Sequence, residues 1–148
     1  MIRRVYAYAA YRLGDGPDAE DVTSEVLERA LRYRTTYDSS RGEPVSWLLG
    51  IARRVVAEHL TARARAQSTP AEAPDRPSDE DLAADSLRRL TLEQALEELS
   101  ERDRELLSLR YGADLKARQI ASVLEMETHA VEVAIGRALD RLRAVVGG

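Results

Sequence analysis

Apolar residues recur along this chain at helical spacing. Val5, Ala9 and Leu13 stand four residues apart and predict a short helix over 2–13, with Tyr8 and Arg12 flanking the stripe. Gly14-Asp15-Gly16-Pro17 ends it. Val22, Val26, Ala30 and Tyr33, widened by Leu27 and Leu31, predict a second helix over about 19–34. Asp18 fits as its N-cap, with Asp21 three residues later. A polar loop, 35–43, follows. Pro44 can open a third helix, because its fixed φ suits the first turn and its missing N–H is not needed there. The buried stripe of that helix is Val45, Leu48, Leu49, Ala52, Val55, Val56 and Leu60. Ser46, Gly50, Arg53, Arg54 and Ala57 lie toward its other side, with Trp47 at the margin.

The pattern lapses over 62–86. Three prolines, several Ser and Asp residues and few apolar positions predict a flexible linker between domains that can move independently. Periodicity resumes near Leu87. Leu90, Leu92, Ala95, Leu96 and Leu99 form one face. Ser100 can cap a new helix, with Asp103 at capping-box spacing. Leu106, Leu107 and Leu109 to Tyr111 continue it, and Gly112 ends it. From Leu115 two helices follow in close succession. Ile120, Ala121 and Leu124 line the first, Glu125-Met126-Glu127 make the turn, and Thr128 can cap the second. Val131, Ile135, Ala138, Leu139 and Leu142 form its inner face. Small Ala121 at the crossing suits a helix-turn-helix, although a plain helical hairpin shares this spacing. The expected architecture is all-α, with domains at 1–62 and 87–148 joined by an acidic, Pro-rich linker at 63–86.

Composition agrees with helices. Hydrophobic residues make up 44% and aromatics 5%, with no Phe, so the core rests on Leu, Val, Ile and Ala. Absence of Cys excludes disulfides, thiolate metal sites and Cys nucleophiles. No apolar run has the length of a membrane span, and the first residues lack the pattern of a signal peptide, so a cytoplasmic chain is expected. Net charge is −4, but the first 61 residues balance nine acids against nine bases. The surplus acid lies mostly in the linker, which leaves room for local basic faces on either side.

Two constellations carry chemistry. Asp18, Asp21, Glu25 and Glu28 fall along one helix strip, which suits either a solvated face or a docking surface. Trp47 beside a polar loop and two arginines suits either core packing or a platform for an unpaired base. His59 and His129 are far apart and read as surface or boundary residues. No catalytic, cofactor or metal motif occurs.

Asp18-Ala-Glu-Asp-Val-x-x-Glu-Val followed by Trp47-Leu-Leu-Gly-Ile-Ala-Arg-Arg resembles region two of bacterial RNA polymerase sigma factors. The resemblance is to the extracytoplasmic-function (group IV) class of the sigma-70 family. Leu96-x-x-Leu-x-x-Arg102-x-Arg104-Glu-Leu-Leu-x-Leu-Arg-Tyr111, then Gln119-Ile-Ala and Arg137-Ala-x-x-Arg-Leu-Arg143, resembles their region four. Together these cover nearly the whole chain outside the linker. The resemblance implies a non-enzymatic initiation factor that binds core polymerase, finds promoters and assists their melting. It places Asp18, Asp21, Ser24, Glu25 and Glu28 on the clamp helices of the largest subunit. It assigns Tyr37, Asp38, Ser39, Ser40, Arg41, Trp47, Arg53 and Arg54 to the −10 element, with one base flipped into the loop. Region four is implied to dock on the flap of the second-largest subunit. Arg118, Thr128, His129, Val133, Arg137 and Arg141 are its candidates for the −35 element. An anti-sigma protein enters as a partner by family analogy. A polymerase-binding adaptor without region-four DNA reading, and a helix-turn-helix regulator, are the alternatives.

Three positions depart from the family pattern. The family has further helix upstream of Met1. Glu125 occupies a turn position where Gly is frequent, which costs about 1 kcal/mol if φ is positive there. Ala130-Val131-Glu132-Val133-Ala134 stands where the family commonly has Thr-Val-Lys-Ser-Arg. Loss of two cationic contacts predicts weakened −35 binding, with a salt slope smaller by about two.

Overall fold

A computed structural model of the chain describes residues 1–68 and 93–147. The expected linker beyond 68, and the apolar positions Leu87, Leu90 and Leu92, lie outside the described residues. Helices α1 (Ile2–Leu13), α2 (Pro17–Arg32) and α3 (Pro44–Ser68) form the N-terminal part, with a 3-10 turn at Arg34–Thr36. The C-terminal part comprises α4 (Glu93–Glu98), α5 (Glu101–Leu107), a wide π turn at Ser108–Gly112, α6 (Ala117–Leu124) and α7 (Thr128–Gly147). No strand occurs among the described residues.

Local chemistry moved several boundaries. Helix α2 begins at Pro17 with Gly16 as its cap, so Asp18 lies in the first turn rather than at the N-cap. Pro17 sets helical φ one residue earlier than a side-chain cap would. The helix ends at Arg32, which leaves Leu31 and Tyr33 exposed instead of on the apolar stripe. Helix α3 continues to Ser68, six residues past the expected boundary at 62. Arg63 holds that extension by donating to Asp18 and to the Leu13 carbonyl. Ser100 does cap α5, accepting from the Asp103 N–H at 3.1 Å. Thr128 is the first helical residue of α7, not the residue before it. Glu125 adopts φ 56° and ψ 50°, the left-handed conformation that its turn position demands.

The two parts do not stand apart. One apolar cluster joins Val5, Ala9, Val22 and Leu49 of the first to Leu106, Leu109, Ile120 and Val131 of the second. The sequence leaves open how the two domains sit relative to each other, and here they share one core. Gly112 permits a close approach: a Cβ there would stand 3.2 Å from both the Ala7 carbonyl oxygen and the Tyr11 ring. Leu49, Leu106 and Ile120 are essentially solvent-free, and burial of each such side chain stabilises by about 1.5–3 kcal/mol.

Candidate nucleic-acid and polymerase interface

The 37–43 loop is shaped by its own side chains. Asp38 Oδ1 accepts from the Ser40 N–H at 2.9 Å and from the Ser40 hydroxyl at 2.7 Å. These bonds hold the Asp38 carboxyl below its ordinary pKa, the hydroxyl contributing most. Tyr37 donates its hydroxyl to the Gly42 carbonyl at 3.0 Å, closing the loop. The Trp47 ring, half-buried, meets Tyr37 edge-on at 5.6 Å between centroids. Trp47 is therefore neither wholly core nor wholly exposed. Beside the pair opens a polar cleft of about 520 Å³ lined by Arg41, Arg53 and Arg54. Ser39, Ser40 and Arg41 are exposed; Arg41 lines this cleft, while Ser39 and Ser40 line a neighbouring one with Arg118 and Ser122. Ser122 to Glu125, from the opposite part of the molecule, form the facing wall of the first cleft. Ser46 was expected on the outer side of α3 but is buried, and its hydroxyl has no partner among the described residues.

The acidic strip of α2 is largely neutralised. Asp18 accepts from Arg63, which lowers its pKa. Glu25 lies between Arg29 at 2.8 Å and His59 at 3.5 Å, and Glu28 pairs with Arg32 at 2.6 Å. Asp21 and Ser24 are exposed, and Asp21 has no ion pair among the described residues. The strip therefore presents alternating charge rather than a row of bare carboxylates.

An interlock between the two parts went unread in the sequence. Glu105, buried in α5, accepts hydrogen bonds from two donors of the N-terminal part, Tyr8 and Arg53, and makes an ion pair with a third residue, Arg12. The Tyr8 hydroxyl faces its two oxygens at 2.8 and 2.9 Å, Arg53 Nε lies at 2.9 Å and Arg12 Nε at 3.3 Å. Burial, then the Glu105 charge, raises the Tyr8 pKa well above its ordinary value, so Tyr8 stays a donor. Arg12 also donates to Glu101 at 2.6 Å. Burial opposes its charge, but that bond and the nearby carboxylates outweigh it and its pKa rises. Arg104 is shifted the other way, lowered by burial and by Arg12. At the other end Glu43 accepts from Gln119 at 2.6 Å and from Arg118 at 3.4 Å, and Ser122 donates to the Arg41 carbonyl at 3.2 Å. Arg4 closes the ring through the Ala113 and Asp114 carbonyls, both at 2.7 Å. The available signal was weak: Tyr8 and Arg12 stand one turn apart on a short apolar helix, and Glu105 directly precedes a run of leucines.

Two arginines expected at the −35 element are thus engaged elsewhere. Arg118 faces Glu43, and Arg141 donates to both oxygens of buried Asp103 at 2.8 Å. Thr128, His129, Val133 and Arg137 remain together on the exposed face of α7. Arg53, expected at the −10 element, is bound to Glu105, whereas Arg54 is exposed and makes no ion pair among the described residues.

These features define a two-part, all-helical factor with a helix-turn-helix in its second part and an aromatic-arginine cleft in its first. The family model described as Sigma-70 region 2 matches residues 1–66, and that described as Sigma-70, region 4 matches 89–142. ECF RNA polymerase sigma factor BldN of Streptomyces coelicolor is 34% identical over 143 residues, 93% of this chain and 54% of the relative. SigD of Mycobacterium tuberculosis is 35% identical over 151 residues, 94% of this chain and 70% of the relative. The chain thus spans about half the length of the first relative and over two thirds of the second. The fold is also that of sigma factor RpoE from Bartonella quintana, solved with the anti-sigma factor NepR. There the TM-score is 0.74 at 19% identity, covering 99% of this chain and 91% of that one. CnrH, solved with the cytosolic domain of CnrY, gives 0.70 at 22% identity, covering 97% and 80%. The chain belongs to the ECF sigma factors of bacterial RNA polymerase and carries both regions of a transcription initiation factor.

Proposed function

We propose that this chain directs core RNA polymerase to promoters mainly through its first region. The observation that carries this reading is the Tyr37–Trp47 pair set beside Arg41, Arg53 and Arg54 in one polar cleft. Aromatic faces stack with unpaired bases, and guanidinium groups neutralise phosphates. The −10 strand, once opened, enters this cleft with a base held by the 37–42 loop. Asp21 and Ser24, with Asp18, Glu25 and Glu28 around them, dock on the clamp helices of the polymerase largest subunit. Region four docks on the flap of the second-largest subunit and reads the −35 element with the exposed face of α7. The reaction needs no cofactor, and the factor acts in the cytoplasm. RpoE was solved with an anti-sigma factor and CnrH with the cytosolic domain of CnrY, and an anti-sigma protein is the expected regulator of this chain. In the closed arrangement Arg53 and Arg118 are held by carboxylates of the opposite part, so promoter engagement requires the parts to separate.

Run-off transcription with core polymerase on a promoter library tests the reading. Promoter-dependent initiation that is lost in Trp47→Ala supports it. Core binding without initiation on any template would favour the adaptor, which the diversion of Arg118 and Arg141 makes the second reading.

A further inference from the structure

Helix α7 presents its first turns to solvent even while the two parts are closed. His129, Glu132 and Gly136 fall on one exposed strip, and Val133 and Arg137 on the next. The N-terminal residues of a recognition helix are those that reach base edges. An acid at this place is conspicuous, because phosphates repel a carboxylate. Glu132 is not recruited to hold the fold. Its side chain is 59% exposed, its one ion-pair neighbour is His129 at 3.8 Å, and no Arg or Lys binds it among the described residues. Gly136, one turn further on, has nothing within 4 Å of where a Cβ would be, so the helix can press closely against DNA there.

A carboxylate only accepts hydrogen bonds. In the major groove cytosine offers the N4 amino group as its only polar group, while adenine couples its N6 amino to the N7 acceptor. Guanine and thymine offer acceptors only. We infer that Glu132 is a specificity-determining residue that selects cytosine in the upstream element, accepting from its N4 amino group. The acid then has a base-reading role, and it is not merely a lost phosphate contact. This inference rests on the docking of α7 in the major groove proposed above.

Glu132→Ala and Glu132→Gln separate the two claims, and both should fold, since the side chain is exposed on a helix. Full-length factor with core polymerase is offered templates with a fixed −10 element and a randomised upstream element, and bound templates are sequenced. The expected result is cytosine favoured about ten-fold at one upstream position by the native chain. Glu132→Ala should lose that preference alone. Glu132→Gln should move it to adenine, since an amide pairs with both N6 and N7. Selection at upstream positions that neither variant changes would overturn the role of Glu132 while leaving region-four reading intact. Selection of −10 sequence with none upstream would overturn the docking of α7 itself.

Discussion

Glu105→Gln is the sharpest perturbation of the closed arrangement. It keeps the shape of a side chain that is only 11% exposed while removing its charge. The native carboxylate binds Arg12, itself 6% exposed, along with Arg53 and the Tyr8 hydroxyl. A buried hydrogen bond to a charged group contributes about 1.5–3 kcal/mol. The Arg53 bond is discounted, because that side chain is 37% exposed and solvent screens it to at most about 1 kcal/mol. Closure should therefore weaken by about 2–3 kcal/mol, which shifts the closed-to-open ratio roughly 30- to 150-fold. The chain has no Cys, so Thr35→Cys with Glu127→Cys puts one label on each part. Energy transfer between the dyes should fall in the Gln variant, and its affinity for core polymerase and promoter DNA should rise. Glu101→Gln is the control: Glu101 is 73% exposed, and its effect should stay below about 1 kcal/mol. An unchanged distance distribution together with an unchanged unfolding midpoint in Glu105→Gln would refute the interlock.

Other consequences are as direct. Asp21→Arg should reduce core-polymerase affinity about ten-fold or more with unchanged thermal stability, measured by titration against labelled core; a charge reversal without effect would remove α2 from the interface. Glu125→Gly should raise the free energy of unfolding by up to about 1 kcal/mol in denaturant titration, because φ 56° strains a residue with a Cβ. Acid should loosen the closed arrangement slightly, by less than about 1 kcal/mol through Glu101, which is 73% exposed. The hydrogen bond from Arg12 lowers the Glu101 pKa, so its contribution is complete above the ordinary carboxylate pKa and is lost as pH falls through the depressed value. Dye separation should therefore grow below about pH 4.5 in the native chain, and less so in Glu101→Gln.

Much of the fold was legible in the helical spacing. Val45, Leu48, Leu49, Ala52, Val55 and Val56 are all buried as the stripe predicts, and Pro44 does open α3. The turn at Glu125 could be read because the αL position of a helix-turn-helix is a local backbone requirement. Helix ends were harder. Pro17 and Gly16 overrode the Asp18 cap, and the Asp18–Arg63 pair carried α3 beyond the expected linker boundary. The candidate site was half legible. Residue types and motif order pointed to the aromatic-arginine cleft and to the exposed face of α7, but not to which arginines are held in ion pairs.

The sequence by itself determined the helices, their apolar faces and the order of the two regions, because periodicity and caps are set by residues within a few turns of one another. Only the tertiary structure decided the pairing of charges. Arg53 and Glu105 are 52 residues apart in the chain, and Arg118 and Glu43 are 75 apart. Pattern along a helix reports that a face is apolar or charged, and it cannot name the segment that covers that face. Once α1 packs on the π turn and α3 on α6, burial strengthens each carboxylate–guanidinium contact, and residues that read as DNA contacts become the bolts of a closed molecule.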